Sequence, residues 1–129
     1  FTPPVQTFYA LKQAIIETKE ETIVKRYDRY AKSWETLLSG IEEMGLEYLI
    51  DREHHSKIIT SIIEPKNDKY DFDEMHDYFF ERGFTIYPGK VNNYDTFRIS
   101  NIGQIDYKDM EDFLKVLKEY LVQIGFLED

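Results

Sequence analysis

The sequence contains no cysteine, which excludes disulfide bonds, thiolate metal sites and a cysteine nucleophile. Glycine and proline are also scarce, with 6 Gly and 4 Pro among 129 residues, and this excludes collagen-like and low-complexity chains. No apolar run approaches the roughly 20 residues that a helix needs to span a bilayer. We therefore expect a soluble protein of the cytoplasm.

Basic residues are in deficit as well. The sequence has 16 Lys and Arg against 25 Asp and Glu, which gives a formal net charge of −9 at pH 7. Binding to nucleic acid through its phosphate groups needs clustered positive charge, and binding to an anionic membrane surface has the same requirement. We therefore expect neither nucleic acid nor a membrane as a partner.

Apolar residues, in contrast, are plentiful: 42% of the chain is hydrophobic and 16% is aromatic. This content excludes an intrinsically disordered chain. The length is that of one ordinary domain, so residues 1–129 are predicted to form a single domain without an internal linker. Because the sequence begins without methionine, beside the pair Pro3-Pro4, we expect a piece of a longer chain cut at a proline-rich joint.

Four helices are predicted from capping signals and from apolar residues at helical spacing. The first follows Pro3-Pro4, because proline is tolerated in a first turn. The second is predicted to begin at Thr18, which has the spacing of a capping box with Glu21, and to end at Gly45. The third and fourth are predicted to begin at two acidic caps, Asp71 and Asp106.

Four short strands are predicted, over residues 46–50, 57–63, 84–87 and 96–99. The dipeptide Pro88-Gly89 is predicted to end the third strand in a turn. The resulting order α, α, β, β, α, β, β, α predicts an α+β fold, a two-layer sandwich in which helices pack on one face of a small, mostly antiparallel sheet. The first helix is the least tied to this layer.

Arg98 is the first candidate for a functional residue. It lies between Phe97 and Ile99 in a predicted strand, so its side chain is expected on the face opposite to these apolar neighbours. Its planar guanidinium can bind a carboxylate or phosphate through two parallel hydrogen bonds. Asn101 and Gly103 follow in a predicted turn whose backbone N–H groups could also face an anion. The alternative is a surface or salt-bridged arginine on an open sheet face.

Other polar residues give weaker signals. Tyr87 and Lys90 could line a pocket beside a glycine turn, although a plain turn with a solvated lysine is the favoured interpretation. No histidine spacing resembles a zinc site, and phosphate-binding glycine motifs and a Ser, His and Asp arrangement are missing too. We interpret the three histidines as structural or solvated: His54, His55 and His76. A module that binds a small acidic metabolite or a protein partner remains an open alternative to an enzyme.

Four sequence blocks carry a family resemblance. They are Thr-Pro-Pro at 2–4, Lys-Ile-Ile-Thr at 57–60, Gly-Phe-Thr-Ile-Tyr-Pro-Gly-Lys at 83–90 and Thr-Phe-Arg-Ile-Ser-Asn-Ile-Gly at 96–103. In this order they resemble the C-terminal part of the 2-aminoethylphosphonate–pyruvate transaminases, which are class V aminotransferases and use pyridoxal 5'-phosphate. The resemblance covers nearly the whole chain. It implies the C-terminal small domain of a fold-type I enzyme, acting as a homodimer on 2-aminoethylphosphonate and pyruvate.

The resemblance also implies roles for two residues. Arg98 would bind the acidic group of the substrate, typically its carboxylate, and Thr2 would contact the cofactor phosphate of the neighbouring subunit. The family's lysine that holds the cofactor lies before the Thr-Pro-Pro block, in a large domain that this sequence lacks. No catalytic residue, no metal site and no bound cofactor are therefore expected here, and the chain alone is predicted to be inactive.

One departure from the family pattern concerns the substrate. Ser100 stands where many relatives are expected to have glycine. Another class V activity, such as a serine– or alanine–glyoxylate transaminase, is the alternative within the family.

Overall fold

The computed structural model describes residues 2–91 and 93–128. Two helices open the chain, α1 (Val5–Glu21) and α2 (Ile23–Glu43), and only Thr22 separates them. Thr22 has φ 71° and ψ 149°, a conformation that β-branched residues rarely adopt. Its N–H still donates to Thr18 O at 3.0 Å, while its own Oγ1 accepts from the N–H of Lys25 at 3.4 Å. Thr22 therefore ends the first helix and caps the second.

The predicted capping box at Thr18 is wrong. Thr18 lies inside α1, and its hydroxyl donates to the carbonyl of Ala14 at 2.8 Å instead of capping a new helix. This back-bond to the preceding turn is the usual arrangement of a threonine within a helix. The other two predicted caps are confirmed, because Asp71 accepts from the N–H of Glu74 and Asp106 forms a capping box.

In the described residues that follow α2, the chain forms one short 3-10 helix, three strands and two further helices. Their bounds are Arg52–His54 (3-10), β1 Ile59–Ile63, α3 Phe72–Phe80, β2 Tyr87–Val91, β3 Tyr94–Ser100 and α4 Tyr107–Gln123. The strands pair in the order β1-β3-β2, and both pairs are antiparallel. The strand predicted last thus occupies the centre of the sheet, and the predicted antiparallel pairing is confirmed.

Three predicted strand features differ from the structure. The strand predicted over 84–87 is wrong at residues 84–86, which lie outside the sheet, because β2 begins at Tyr87. Residues 46–50 form no strand; Tyr48 makes a single bridge to Ile62, and Leu49 N–H donates to the carbonyl of Ser61. Pro88 and Gly89 form no turn, because they lie within β2. Proline is accepted there since β2 is an edge strand of the sheet.

The core lies between one face of the sheet and the helices. Ile62 of β1 and both Phe97 and Ile99 of β3 are buried against side chains of α2, α3 and α4. The most deeply buried helix residues are Leu37, Ile41, Met75, Phe79, Leu117 and Leu121. This arrangement confirms the predicted α+β sandwich with helices on one face of the sheet.

The first helix stands apart from this core. None of its residues is buried, and its apolar side chains are largely exposed. Among the residues that the structure describes, no helix combines the length and the apolar character needed to cross a membrane.

Candidate functional site

The face of the sheet that turns away from the core presents a row of three paired residues. Arg98 in the central strand lies opposite Ser61 of β1 on one side and opposite Tyr87 of β2 on the other. Directly opposed residues of a sheet share a face, so the three side chains stand side by side. The predicted alternation is confirmed, because Phe97 and Ile99 are buried in the core while Arg98 is exposed.

The Arg98 guanidinium stands free of the other residues that the structure describes. Within residues 2–91 and 93–128 it makes neither a hydrogen bond nor an ion pair with another side chain or a backbone carbonyl. The fold thus holds the backbone of Arg98 in the middle of the sheet and leaves its five N–H donors available. A cation presented in this way can bind a planar anion such as a carboxylate.

Gly89 makes the space in which the Arg98 side chain lies. It pairs with Thr96 in the sheet, so its Cα lies on the same face as Arg98. A Cβ added at Gly89 would come within 2.7 Å of Arg98 Nε and within 2.7 Å of Thr96 Oγ1. Thr96 Oγ1 itself donates to the carbonyl of Gly89 at 2.7 Å, which fixes the two strands at this point. The arginine stem therefore crosses β2 where no side chain stands.

A pocket of about 570 Å³ opens beside Arg98. Tyr87 and Ser100 line it from the sheet, and Phe84 and Ile105 supply apolar walls from the loops. The described lining residues include one carboxylate, Asp109, whose Oδ2 accepts from the N–H of Asp106 at 2.7 Å in the cap of α4. Arg98 is the one cation among the described residues of this mostly apolar lining. Such a pocket is suited to a small organic acid, because apolar walls displace water and strengthen charge-assisted hydrogen bonds. Lys90 does not line this pocket; its ammonium is exposed and lies 3.5 Å from Asp95, in agreement with the solvated-lysine interpretation.

The backbone of the loop after β3 does not face an anion, contrary to prediction. Asn101 N–H donates to the carbonyl of Ile58 at 3.1 Å, and Gly103 N–H donates to the hydroxyl of Tyr30 at 3.2 Å. The buried Asn101 amide also donates to the carbonyls of Tyr30 and Lys57. The loop is thus held by α2 and by the segment before β1, and the N–H groups of Asn101 and Gly103 are used for that purpose.

A further residue that holds the same loop, Arg29 of α2, was not indicated by any sequence pattern. Its Nη1 donates to the carbonyls of Gly103 and Ile105 at 2.8 and 2.7 Å. Its Nε donates to a Glu21 carboxylate oxygen at 2.6 Å. The Glu21 carboxylate raises the pKa of Arg29, and the Arg29 guanidinium lowers the pKa of Glu21. No local sequence signal points to this residue, because Gly103 lies 74 positions away.

The histidines have structural surroundings. His55 packs on Trp34 with ring centroids 5.1 Å apart, and its Nδ1 accepts from the N–H of Lys57. Burial lowers the pKa of His55. His76 stacks on Phe80, and His54 is exposed. In the described part of the chain, no group of three His, Asp or Glu side chains is arranged to hold a metal ion.

Thr2 lies in the exposed, irregular segment that precedes α1 and does not line the Arg98 pocket. No side chain caps the N-terminus of α1, and its first turn contains no acidic residue. Val5 N–H donates to the carbonyl of Pro3 at 2.8 Å, whereas the N–H groups of Gln6 and Thr7 have no backbone partner within the described residues. A helix start of this kind, with no opposing negative charge, suits a phosphate group. The residues present at this end of the chain therefore fit the phosphate of a cofactor.

Comparison with known proteins gives clear relatives by sequence. No model of a protein family matches the chain. It is 40% identical over 120 residues to the 2-aminoethylphosphonate–pyruvate transaminase of Vibrio vulnificus, a match that covers 92% of this chain and 33% of that protein. It is 39% identical over 121 residues to the enzyme of the same name from Lactiplantibacillus plantarum, covering 93% of this chain and 33% of that protein.

A third relative is a bifunctional phosphonoacetaldehyde hydrolase/aminoethylphosphonate transaminase of Clostridioides difficile. The identity is 38% over 122 residues, which covers 94% of this chain and 19% of that protein. The chain thus spans a third or less of the length of these curated relatives. The family resemblance predicted from the four sequence blocks is confirmed over almost the whole of this chain.

Solved structures agree on the fold. The alanine–glyoxylate aminotransferase of Nostoc sp. superposes with a TM-score of 0.83 at 20% identity, over 94% of this chain and 32% of that one. The ureidoglycine–glyoxylate aminotransferase of Bacillus subtilis gives a TM-score of 0.80 at 22% identity, over 91% of this chain and 30% of that one. At these identities the similarity establishes a shared fold.

Proposed function

We propose that this chain, which is similar to one segment of the 2-aminoethylphosphonate–pyruvate transaminases, is the C-terminal small domain of such an enzyme. In this proposal residues 1–129 form that domain, and a large domain with the cofactor-binding lysine belongs to the same polypeptide. The complete enzyme is a cytoplasmic homodimer that depends on pyridoxal 5'-phosphate. It moves the amino group of 2-aminoethylphosphonate to pyruvate, which yields phosphonoacetaldehyde and L-alanine.

The guanidinium of Arg98, which has no hydrogen-bond or ion-pair partner among the described residues, is the observation that carries this proposal. It lies on the open face of the sheet beside a pocket of about 570 Å³, and it is the residue to which the family resemblance assigns the substrate's acidic group. Two parallel hydrogen bonds from its fork would hold the pyruvate carboxylate and fix the direction in which the keto carbon points. Positioning of this kind is a large part of transaminase catalysis, because the substrate must approach the cofactor in one orientation.

The cofactor would supply the chemistry by carrying the amino group between the two substrates. The contribution of this chain is to bind and orient. Arg98 would hold the acidic group of the substrate, and the pocket walls at Phe84 and Ile105 would exclude water around it. Thr2 and the free N–H groups at the start of α1 would contact the cofactor phosphate of the neighbouring subunit. Without the lysine of the large domain, the 129 residues alone are expected to be inactive.

Activity of the full-length gene product tests the proposal. We expect a visible absorbance band from bound pyridoxal phosphate, and L-alanine formed from 2-aminoethylphosphonate and pyruvate. Serine with glyoxylate and alanine with glyoxylate serve as control substrate pairs. A band with turnover of only a control pair would move the protein to another class V activity. No band at all would contradict the transaminase proposal and favour a binding module for small acids.

Gly89→Ala tests whether the space beneath Arg98 matters. The added Cβ would approach Arg98 Nε to 2.7 Å, so the guanidinium must move away from its present position. We expect KM for pyruvate to rise about fivefold in the full-length enzyme, because displacement of a binding group by a fraction of an ångström weakens a directional contact. Steady-state kinetics at varied pyruvate concentration measures this.

Ser61→Ala is the matched control for Gly89→Ala. Ser61 flanks Arg98 from the other neighbouring strand and already carries a Cβ, so its replacement adds no atom to this face. KM for pyruvate should stay within about twofold of the unmodified enzyme. Equal KM values for the Gly89 and Ser61 variants would show that Gly89 does not determine the position of Arg98.

A further inference from the structure

We infer that Arg29 is a positioning residue for the Arg98 pocket, an inference that rests on the proposed function. Arg29 does not itself line the pocket, and it acts through Ile105, which does. It joins the end of α1 to the loop over residues 101–105, which lies between β3 and α4 and contributes Ile105 to the pocket wall. Nothing in the family resemblance assigns it a role.

The joint between α1 and α2 needs such a contact because its backbone is held in a rare conformation. Thr22 has a positive φ of 71°, which L-residues with a branched Cβ avoid unless surrounding contacts enforce it. Glu21, the last residue of α1, directs its carboxylate across this joint to α2. Arg26 Nε lies 2.9 Å from one of its oxygens, and Arg29 Nε lies 2.6 Å from the other. The carboxylate thus ties the end of α1 to the first turns of α2.

Arg29 uses both sides of its guanidinium for this purpose. Nε and Nη2 donate to the two carboxylate oxygens of Glu21 at 2.6 and 3.1 Å. Nη1 donates to the carbonyl oxygens of Gly103 and Ile105 at 2.8 and 2.7 Å. Only a planar fork of fixed geometry can satisfy a carboxylate and two carbonyls at once, and the side chain is only 18% exposed. A lysine at this position could retain the ion pair but not the full set of contacts.

The loop that Arg29 holds meets the substrate pocket at both of its ends. Ser100, just before the loop, lines the pocket, and so does Ile105, whose carbonyl accepts from Arg29. Tyr30, the next residue of α2, fixes the same loop by accepting from Gly103 N–H. Loss of the hydrogen bonds from Arg29 to the carbonyls of Gly103 and Ile105 would therefore loosen residues 100–105, which carry part of the pocket wall. Through Arg29 and Tyr30, α2 thus fixes the position of this wall relative to Arg98.

The test compares Arg29→Met with Arg52→Met in the full-length enzyme. Arg52 is the matched control, because it also pairs with two carboxylates, those of Glu35 and Glu42, but contacts neither α1 nor the loop. We expect Arg29→Met to raise KM for pyruvate about tenfold with a smaller change in kcat, since the substrate wall is displaced while the reacting groups are not. Arg52→Met should leave KM within about twofold.

Amide hydrogen exchange on the same two variants gives a readout that does not depend on turnover. Arg29→Met should accelerate exchange at residues 101–105, and Arg52→Met should not. Arg29→Lys provides a second variant that retains the charge beside Glu21; it should give a KM and an exchange rate between those of the unmodified and Met proteins.

The outcomes separate the two proposals. If the unmodified enzyme does not transaminate, the proposed function fails, and exchange at 101–105 alone then decides whether Arg29 holds the loop. If the enzyme is active but Arg29→Met and Arg52→Met have the same KM and the same exchange, the positioning role is overturned. If Arg29→Met does not fold, a KM and an exchange rate for Arg29→Lys equal to those of the unmodified enzyme would overturn it as well.

Discussion

Replacement of Arg98 with alanine in the full-length enzyme should lower kcat/KM for pyruvate by about 10²- to 10³-fold. Loss of one partner of a desolvated, hydrogen-bonded charge pair costs about 3–4 kcal/mol, and each 1.4 kcal/mol corresponds to about a factor of ten. The carboxylate would remain in the pocket without a counter-charge, beside apolar walls such as Phe84. Initial rates of alanine formation at varied pyruvate concentration measure the effect.

Two control variants define what the Arg98→Ala result means. Lys90→Ala also removes one positive charge from the neighbouring strand, but its ammonium is exposed and points to Asp95, so kcat/KM should change by no more than about twofold. Arg98→Lys retains charge without the planar fork and should fall between alanine and arginine. Equal losses for the Lys90 and Arg98 variants would reduce the role of Arg98 to general electrostatics and contradict a specific carboxylate site.

Arg98→Ala should also leave the fold intact. Within the two described ranges, 2–91 and 93–128, the guanidinium has no internal hydrogen bond to lose. The urea midpoint of the variant should therefore match that of the unmodified chain, apart from the small effects usual for exposed substitutions. A large loss of stability would mean that Arg98 supports the sheet and does not serve a ligand.

Phe79→Ala should lower the free energy of unfolding by about 3–5 kcal/mol, the usual cost of deleting a fully buried aromatic ring. Phe79 of α3 is 0% exposed. Its ring lies 5.1 Å from that of Phe113 on α4 and 6.4 Å from that of Phe84. Such a loss is a large share of the about 5–15 kcal/mol that stabilises an ordinary domain. Urea unfolding of the 129-residue chain, followed by circular dichroism, measures it.

The adjacent residue Phe80 supplies the control on the same helix. It is 65% exposed, and its ring stacks on His76 at the surface. Phe80→Ala removes the same atoms but should cost no more than about 1 kcal/mol, because little area leaves the water on folding. If both alanine variants lost equal stability, the face that α3 directs to the core would be assigned wrongly.

Local signals predicted the helices well where the capping side chain has a partner close in sequence. Asp71 and Asp106 each accept from an N–H group two or three residues further on, so the pattern itself contains the contact. Thr18 and Glu21 have the same spacing, yet the helix continues through them. The break occurs at Thr22, where a positive φ is enforced by contacts of α2, and a sequence pattern does not display such a conformation.

Tertiary context also explains why the turn predicted at Pro88 and Gly89 is wrong. The dipeptide is typical of a turn, but its place at the outer strand of the sheet allows it to extend β2. The position of Arg98 could be predicted because strand alternation is a local property. The hydrogen bonds of Asn101 and Gly103 could not, because their partners Ile58 and Tyr30 are far away in the sequence. The role of Arg29 could not be predicted for the same reason, because its partner Gly103 is also distant in the sequence.

The two outer strands of the sheet have consequences for the behaviour of the protein in concentrated solution. The segment around Tyr48 already occupies the free side of β1, through Leu49 N–H to the carbonyl of Ser61 and through the bridge to Ile62. On the other side, β2 carries Pro88 and the charged Lys90, residues that discourage the addition of a foreign strand. Both edges of the described sheet are therefore protected against the addition of further strands that would build a fibril. We expect any association of the protein in concentrated solution to occur through side chains and to be reversed by mild detergent.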